Sequence, residues 1–342
     1  MDNLHKQFMS SLNEKLTDNP EIADEIDISE LISEVTPDAV RLIKASLLES
    51  STEMLKERRE LSEGFVQRNN ERWAKGFDSL ETLIVTCTEA GEDVNNSYRN
   101  EAVTEQNLVF DLVVRLHARA CQISQEILCL MKSGFADAAH ARWRALHEVN
   151  VTAMFIAKHG QECAERFYFH DVVDSYDGMR EHKKYEDRLN EKAPEQKDID
   201  ECKVEYERLI QHYGKKFSGH YGWAAYLFPD HNRVGFGAIE KDVQLEHMRP
   251  YYKWASQNIH SGSKGTRNRL GLNEATEDIL LVGQSNSGMT DPAHATAISL
   301  GQITCTILML HPTIDHIVLM NIISDFQDQV GEDFLTIAKM NS

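Results

Sequence analysis

Residues 104–134 read TEQNLVFDLVVRLHARACQISQEILCLMKSG. Within them Val109, Val113, Leu116, Ala120, Ile123, Ile127 and Leu130 recur at spacings of 4, 3, 4, 3, 4 and 3, the period of one helix face. Few charges interrupt the run and Gly134 supplies a stop, so a central helix is predicted. A second helix is predicted over 136–159, closed by Gly160. A tight turn between them makes the two antiparallel, which sets side by side those residues whose numbers sum to about 268. Glu126 is then expected beside Arg142, and Arg119 beside Glu148.

The rest of the chain reads in the same way. Residues 1–35 are acidic and patchily apolar, a short helix with a loose lead-in. Thr36-Pro37-Asp38 has the form of a helix start, with Pro in the first turn. A long surface helix broken near Gly64, a helix over 71–89 ending near Gly91, and a boundary at Asn95-Asn96-Ser97 are expected. Further helices are predicted over 161–190, 195–213 and 239–260, with a Gly- and aromatic-rich ordered loop over 214–237. A C-terminal helix starts at 292. No repeat and no alternating strand pattern is present, and the fold class is all-α: a helical bundle with a central antiparallel hairpin. Two parts are expected, an acidic N-terminal helical region over 1–100 and a bundle over 101–342 that carries the site.

Charge is unevenly spread. The chain of 342 residues has a net charge of −19: −12 over 1–110, +1 over 111–270 and −8 over 271–342. The middle holds 11 of the 15 histidines and is where an anionic ligand meets least repulsion. The overall acidity argues against a general nucleic-acid or membrane coat. The N-terminus lacks a signal-peptide run, the six cysteines show no C-x-x-C pair, and the uncharged stretch 292–314 reads as a buried helix ending at Pro312. A cytoplasmic protein with no membrane partner and no cofactor is expected.

Chemistry concentrates in the middle. Arg115, Arg119, Gln122 and Glu126 line one stripe of the central helix, and His140, Arg144 and Glu148 line one stripe of the next. His170 lies early in the following helix. Tyr252, Ser256 and His260 stand four apart, with a Gly/Ser loop directly after His260, so His260 is expected to face the pocket of Arg144 and Glu148. Two readings stay open: an ion-pair network that holds the hairpin together, or a functional site that grips a phosphate or reacting group. P-loop, Rossmann, H-E-x-x-H, Glu-x-x-His and G-x-S-x-G signatures are absent. A three-ligand metal site from His147, His170 and His260 is geometrically conceivable.

RLHARACQISQEILCLMKSGFADAAHARWRALHE at 115–148, ERFYFHDVVDSYD at 165–177, YYKWASQNIHSG at 251–262 and LLVGQSNSGMTDPA at 280–293 carry a resemblance. Over about residues 100–320 the chain resembles an uncharacterised bacterial helical family of unknown function. Its recurring pieces match Arg115 with His117, Arg144 with Glu148, and Ser256 with His260. Arg142 and His147, with four residues between them, are also distantly similar to the Arg-to-His motif of the HEPN helical ribonucleases. That similarity implies metal-free cleavage of RNA. His147 would serve as general acid or base, and Arg142 and Arg144 would stabilise phosphoryl charge. Glu148 would orient them, with His260 completing the catalytic set. Arg115, Arg119, Glu126, His170, Tyr252 and Ser256 would bind substrate. It further implies a homodimer in a toxin–antitoxin or antiviral defence system, with a protein antitoxin or regulator as partner. The rival expectations are a non-catalytic helical module that binds a nucleotide or protein partner, and a metal-dependent helical hydrolase.

Overall fold

The computed structural model describes residues 2–18, 27–260 and 262–340. The described residues hold helices α1 (Asp2–Asp18), α2 (Ile28–Thr104), α3 (Leu108–Lys132), α4 (Ala136–Phe169), α5 (Asp171–Leu189) and α6 (Gln196–Tyr213), then α7 (Phe236–Asp242), α8 (Arg249–Gln257), α9 (Ser263–Arg267), α10 (Thr290–Leu308) and α11 (Ile314–Met340). Four short 3-10 turns punctuate the stretch between α6 and α10. There is no strand among the described residues, so the fold is an all-α helical bundle.

The hairpin forms where the periodicity places it. The Asn107 side chain accepts from the Phe110 N–H and starts α3. Gly134, at φ 86°, makes the turn, and its backbone passes so close to Phe65 that a Cβ would lie 2.4 Å from that ring. Val113, Ala120, Ile123 and Ile127 of α3 face Ala139, Trp143 and Leu146 of α4 inside one continuous core. Helix α10 lies against both arms of the hairpin, and α11 packs on α10.

Two compact units divide the chain, residues 1–64 and 65–342. The division falls after Gly64 instead of near residue 100. Trp73, Phe77, Leu80, Leu83, Ile84 and Cys87 are buried in the same core as the hairpin. Trp73 and Phe77 both pack on Phe334 of α11, with ring centroids 5.5 and 5.6 Å apart.

The expected breaks in the N-terminal third are absent. Pro37 lies inside α2, and the helix runs on through Gly64, Gly91 and Asn95-Asn96-Ser97. Gly91 serves a close approach: a Cβ there would lie 2.4 Å from His117. At Gly160 the chain kinks (φ 74°, ψ −157°) and resumes as helix to Phe169. The predicted helix over 239–260 is two short helices. Gln244 takes a left-handed backbone at φ 61°, and Pro250 sits in the first turn of α8. No helix among the described residues is long and apolar enough to cross a membrane.

Candidate functional site

Helix α4 builds the site. His140, Trp143 and His147 recur at spacings of 3 and 4 and are fully buried, while Arg144 and Glu148 sit one residue further round, at the edge of the core. Trp143 lies between the two histidine rings, 5.5 Å from His140 and 5.4 Å from His147, and its indole N–H donates to Ser299 Oγ at 3.0 Å. His147 Nε2 donates to Glu240 Oε1 at 2.9 Å, and neither side chain keeps any exposed surface. A carboxylate only accepts, so this bond assigns the proton to Nε2. The other oxygen of Glu240 pairs with Arg249.

A second pair borders the first. Arg144 Nε donates to Glu148 Oε1 at 3.1 Å, and the Tyr252 hydroxyl donates to the same carboxylate oxygen. Both guanidinium groups lie over the Tyr252 ring, Arg144 at 4.7 Å and Arg249 at 5.2 Å from its centroid. Burial works against the charge on Arg144, and Tyr252 and Glu148 more than offset it, so its guanidinium is held above the usual arginine range. Burial and then Glu148 push the Tyr252 phenol well up. Burial also pushes the neighbouring Tyr221 to about 12, with Glu148 adding to the effect and Arg144 and Arg249 opposing it.

The other expected residues are dispersed. Glu126 does pair with Arg142, both about one-third exposed, on the outer side of the hairpin. Arg142 and His147 are five residues apart in one continuous helix, about 140° round its axis, so they do not share a face. Arg119 is exposed and does not meet Glu148, whose carboxylate is engaged by Arg144 and Tyr252. Arg115 is exposed and pairs with Asp111 one turn earlier, at 2.8 Å. His117 is buried against Thr304 Oγ1 at 3.0 Å, and burial holds its ring down at about 4. His170 Nε2 donates to the Gly219 carbonyl at 2.9 Å and anchors the loop after α6. Ser256 donates to the Tyr252 carbonyl within its own helix, at 2.7 Å. His260 lies three residues past the end of α8 and is exposed, so it does not enter the pocket of Arg144 and Glu148. With His147 sealed, His170 on a carbonyl and His260 in solvent, the three histidines weighed as metal ligands are not brought together.

Glu240, Arg249 and Tyr221 were not singled out from the sequence. Arg249 carried a usable signal, since 249, 252 and 256 follow helical spacing and set it on the Tyr252 stripe. Glu240 carried none, because its partners come from two other elements.

Beside the network lies a cleft of about 550 Å³. Val173, Asp174 and Asp177 of α5 form one wall. The loop from Lys215 to Val234 forms the other, bringing Lys215, His220, Tyr221, His231 and Arg233 to it. Lys216 is spent on the loop itself, donating to the Pro229 and His231 carbonyls at 2.8 and 3.0 Å. Lys215 and Arg233 are exposed and meet no carboxylate among the described residues.

Fold and site together define an all-α bundle protein with a partly buried Arg/Glu/His/Tyr network beside a basic-lipped cleft. The model of a family of unknown function (DUF5677) matches residues 110–278, so the stretch from within α3 to beyond α9 is similar to that family. Neither a curated protein nor a solved structure matches the chain.

Proposed function

We propose that this chain is a non-catalytic helical module that binds an anionic ligand of the nucleotide class in the cleft beside Tyr221. One observation carries the reading: the charges of the constellation are paired with one another within the chain. Arg142 pairs with Glu126, Arg144 with Glu148, and Glu240 with both His147 and Arg249. Cleavage of RNA by a histidine requires a ring nitrogen within hydrogen-bond reach of a 2′-hydroxyl. His147 has no exposed surface, and its Nε2 is committed to Glu240. A network of this kind stiffens the wall behind the cleft instead of meeting substrate.

The cleft supplies what the network lacks. Lys215 and Arg233 offer unspent positive charge to phosphate, and the His220 and Tyr221 rings, 4.6 Å apart and edge to face, offer an aromatic corner to a base. Asp174 and Asp177 on the facing wall accept from ribose hydroxyls. A volume near 550 Å³ is in the range of small-molecule sites.

Two measurements test the reading. Calorimetric titration with ADP and ATP should show binding that Lys215→Glu/Arg233→Glu weakens at least about tenfold, which is the loss of about 1.4 kcal/mol. Absence of binding at millimolar nucleotide overturns the ligand class. Total cellular RNA incubated with the protein, with and without EDTA, should stay intact. RNA cleavage that disappears in Arg142→Ala/His147→Ala overturns the non-catalytic reading.

A further inference from the structure

A second cavity, of about 500 Å³, shares no lining residue with the cleft beside Tyr221. Three interruptions of the bundle meet there. The turn from α2 to α3 brings Glu105, Gln106 and Asn107, the turn after α10 brings Leu310 and His311, and Gln161 follows the kink of α4 at Gly160. Gln106 holds a left-handed backbone at φ 53°, which a residue with a Cβ keeps only where its surroundings fix it. Gln161 does so. Its Oε1 accepts from the Leu108 N–H at 3.1 Å, and its Nε2 donates to the Gln106 carbonyl at 3.1 Å. These bonds tie the α2–α3 turn to the restarted helix and hold the corner in one shape.

The chemistry of the wall selects one sign of charge. No lysine or arginine lines it, and Glu105 brings an exposed carboxylate that pairs with no cation among the described residues. The carbonyl ends of α2 and α10 both come to the cavity, which favours positive charge there. Outside those helices, the backbone carbonyls of Glu105 and Leu310 accept no hydrogen bond among the described residues. The first turn of α3, which would favour an anion, is largely closed: the Leu108 and Phe110 N–H groups already donate to Gln161 and Asn107. Arg99, 5.4 Å from the Phe110 ring centroid, is paired with Asp111. Val109, Leu310 and the His311 ring make the rest of the wall apolar. Tyr98 stacks flat on His311 at 4.0 Å and Phe110 meets it edge-on at 5.9 Å, so the ring is held in place.

We propose that this cavity binds a small primary amine with an aromatic or aliphatic body. The ammonium group donates to the Glu105 carboxylate and to the free carbonyls of Glu105 and Leu310, and the body lies against Val109, Leu310 and the His311 ring. An anion of similar shape meets Glu105 and the two helix ends with the wrong sign. The proposal does not depend on the nucleotide reading of the other cleft.

Ligand-observed NMR titrations of the full chain with 2-phenylethylamine, 2-phenylethanol and phenylacetate test it, because the three share a phenyl body and differ in charge. The amine should bind at least about tenfold more tightly than either analogue, a difference of about 1.4 kcal/mol. Glu105→Gln, at an exposed position in a turn, should weaken the amine about tenfold and bring it level with the alcohol, with the circular dichroism of the bundle unchanged. Lys215→Glu/Arg233→Glu should bind the amine as the wild type does. Absence of amine binding at about 10 mM, a Kd of order 10⁻² M or weaker, overturns the proposal. So does equal binding of the three compounds, an unchanged affinity in Glu105→Gln, or loss of the amine in Lys215→Glu/Arg233→Glu, which would place it in the other cleft.

Discussion

His147 and Glu240 are joined by a 2.9 Å hydrogen bond with neither side chain exposed, although 93 residues separate them in the chain. Glu240 is the only carboxylate His147 meets among the described residues, and through its second oxygen it also holds Arg249. Replacing Glu240 by Gln therefore leaves a guanidinium facing a neutral amide at the edge of the core. The expected loss is about 2–3 kcal/mol, at the low end for a broken buried pair because Arg249 keeps some contact with water. Glu126→Gln, which breaks a pair about one-third exposed, should cost less than about 1 kcal/mol. Urea unfolding of the two variants beside the wild type measures both. Equal midpoints for the two would show that the Glu240 network contributes no more than a surface pair.

The contrast between these two pairs marks what could be read from the sequence. Glu126 and Arg142 flank a tight turn at Gly134, so the helical periods on either side set their level and their pairing. The same arithmetic put Arg119 at the level of Glu148 but said nothing of its direction. Ala120 and Ile123 take the inner face of α3, and Arg119 is turned outward. His260 was misplaced for a different reason. The stretch 239–260 has helical spacing throughout, yet a left-handed Gln244 and the proline at 250 split it, and Glu240 and Arg249 then face each other. Contacts such as His147 with Glu240 arise from tertiary packing, and no local period carries them.

The same distinction applies to the N-terminal third, where Gly91 and Asn95-Asn96-Ser97 read as a boundary but are helical. Trp73, Phe77, Leu80, Leu83 and Ile84 lie in the hairpin's core, each almost without exposed surface. A fragment starting at Phe65 should fold cooperatively, whereas one starting at Glu101 should not. The five side chains are worth roughly 2–3 kcal/mol each on burial, together comparable to the whole stability of a domain. Thermal melts of the two fragments, followed by circular dichroism at 222 nm, decide it. Cooperative melting of the shorter fragment would return the boundary to residue 100.

The loop that walls the cleft depends on Gly222. A Cβ there would lie 2.0 Å from the Phe217 carbonyl oxygen and 2.7 Å from that of Lys216, and both are backbone atoms that cannot rotate away. Gly222→Ala should destabilise the chain by about 2–3 kcal/mol and open the loop. Gly235→Ala, where nothing lies within 4 Å, should change stability by less than about 0.5 kcal/mol. Thermal unfolding of both variants and trypsin cleavage after Lys215, Lys216 and Arg233 provide the readout. Unchanged melting and unchanged cleavage in Gly222→Ala would mean that the loop does not need its close turn.

Two buried histidines set the response to acid. Burial holds His117 and His140 at about 4, and His140 has no hydrogen-bond partner on either ring nitrogen among the described residues. The unfolded chain takes up protons on both rings near 6.5, whereas the folded chain does so only near 4. Stability should therefore fall as pH drops from about 6.5 to about 4, each ring contributing up to about 1.4 kcal/mol per pH unit within that window. Asp333 acts in a lower range. Burial pushes its carboxyl up, but Lys75, Ser79 and Gln329 together outweigh this and hold it below the usual carboxylate range. Its contribution is complete above about 4 and is lost as pH falls further. His140→Leu keeps the packing between Trp143 and Trp254 and removes one titrating ring, so the slope between pH 6.5 and 4 should drop by about half. Below pH 4 the variant and the wild type should run parallel, both losing what Asp333 supplies. Urea midpoints at half-unit intervals of pH give both slopes. Identical slopes above pH 4 in the two proteins would mean that His140 is already charged in the folded chain.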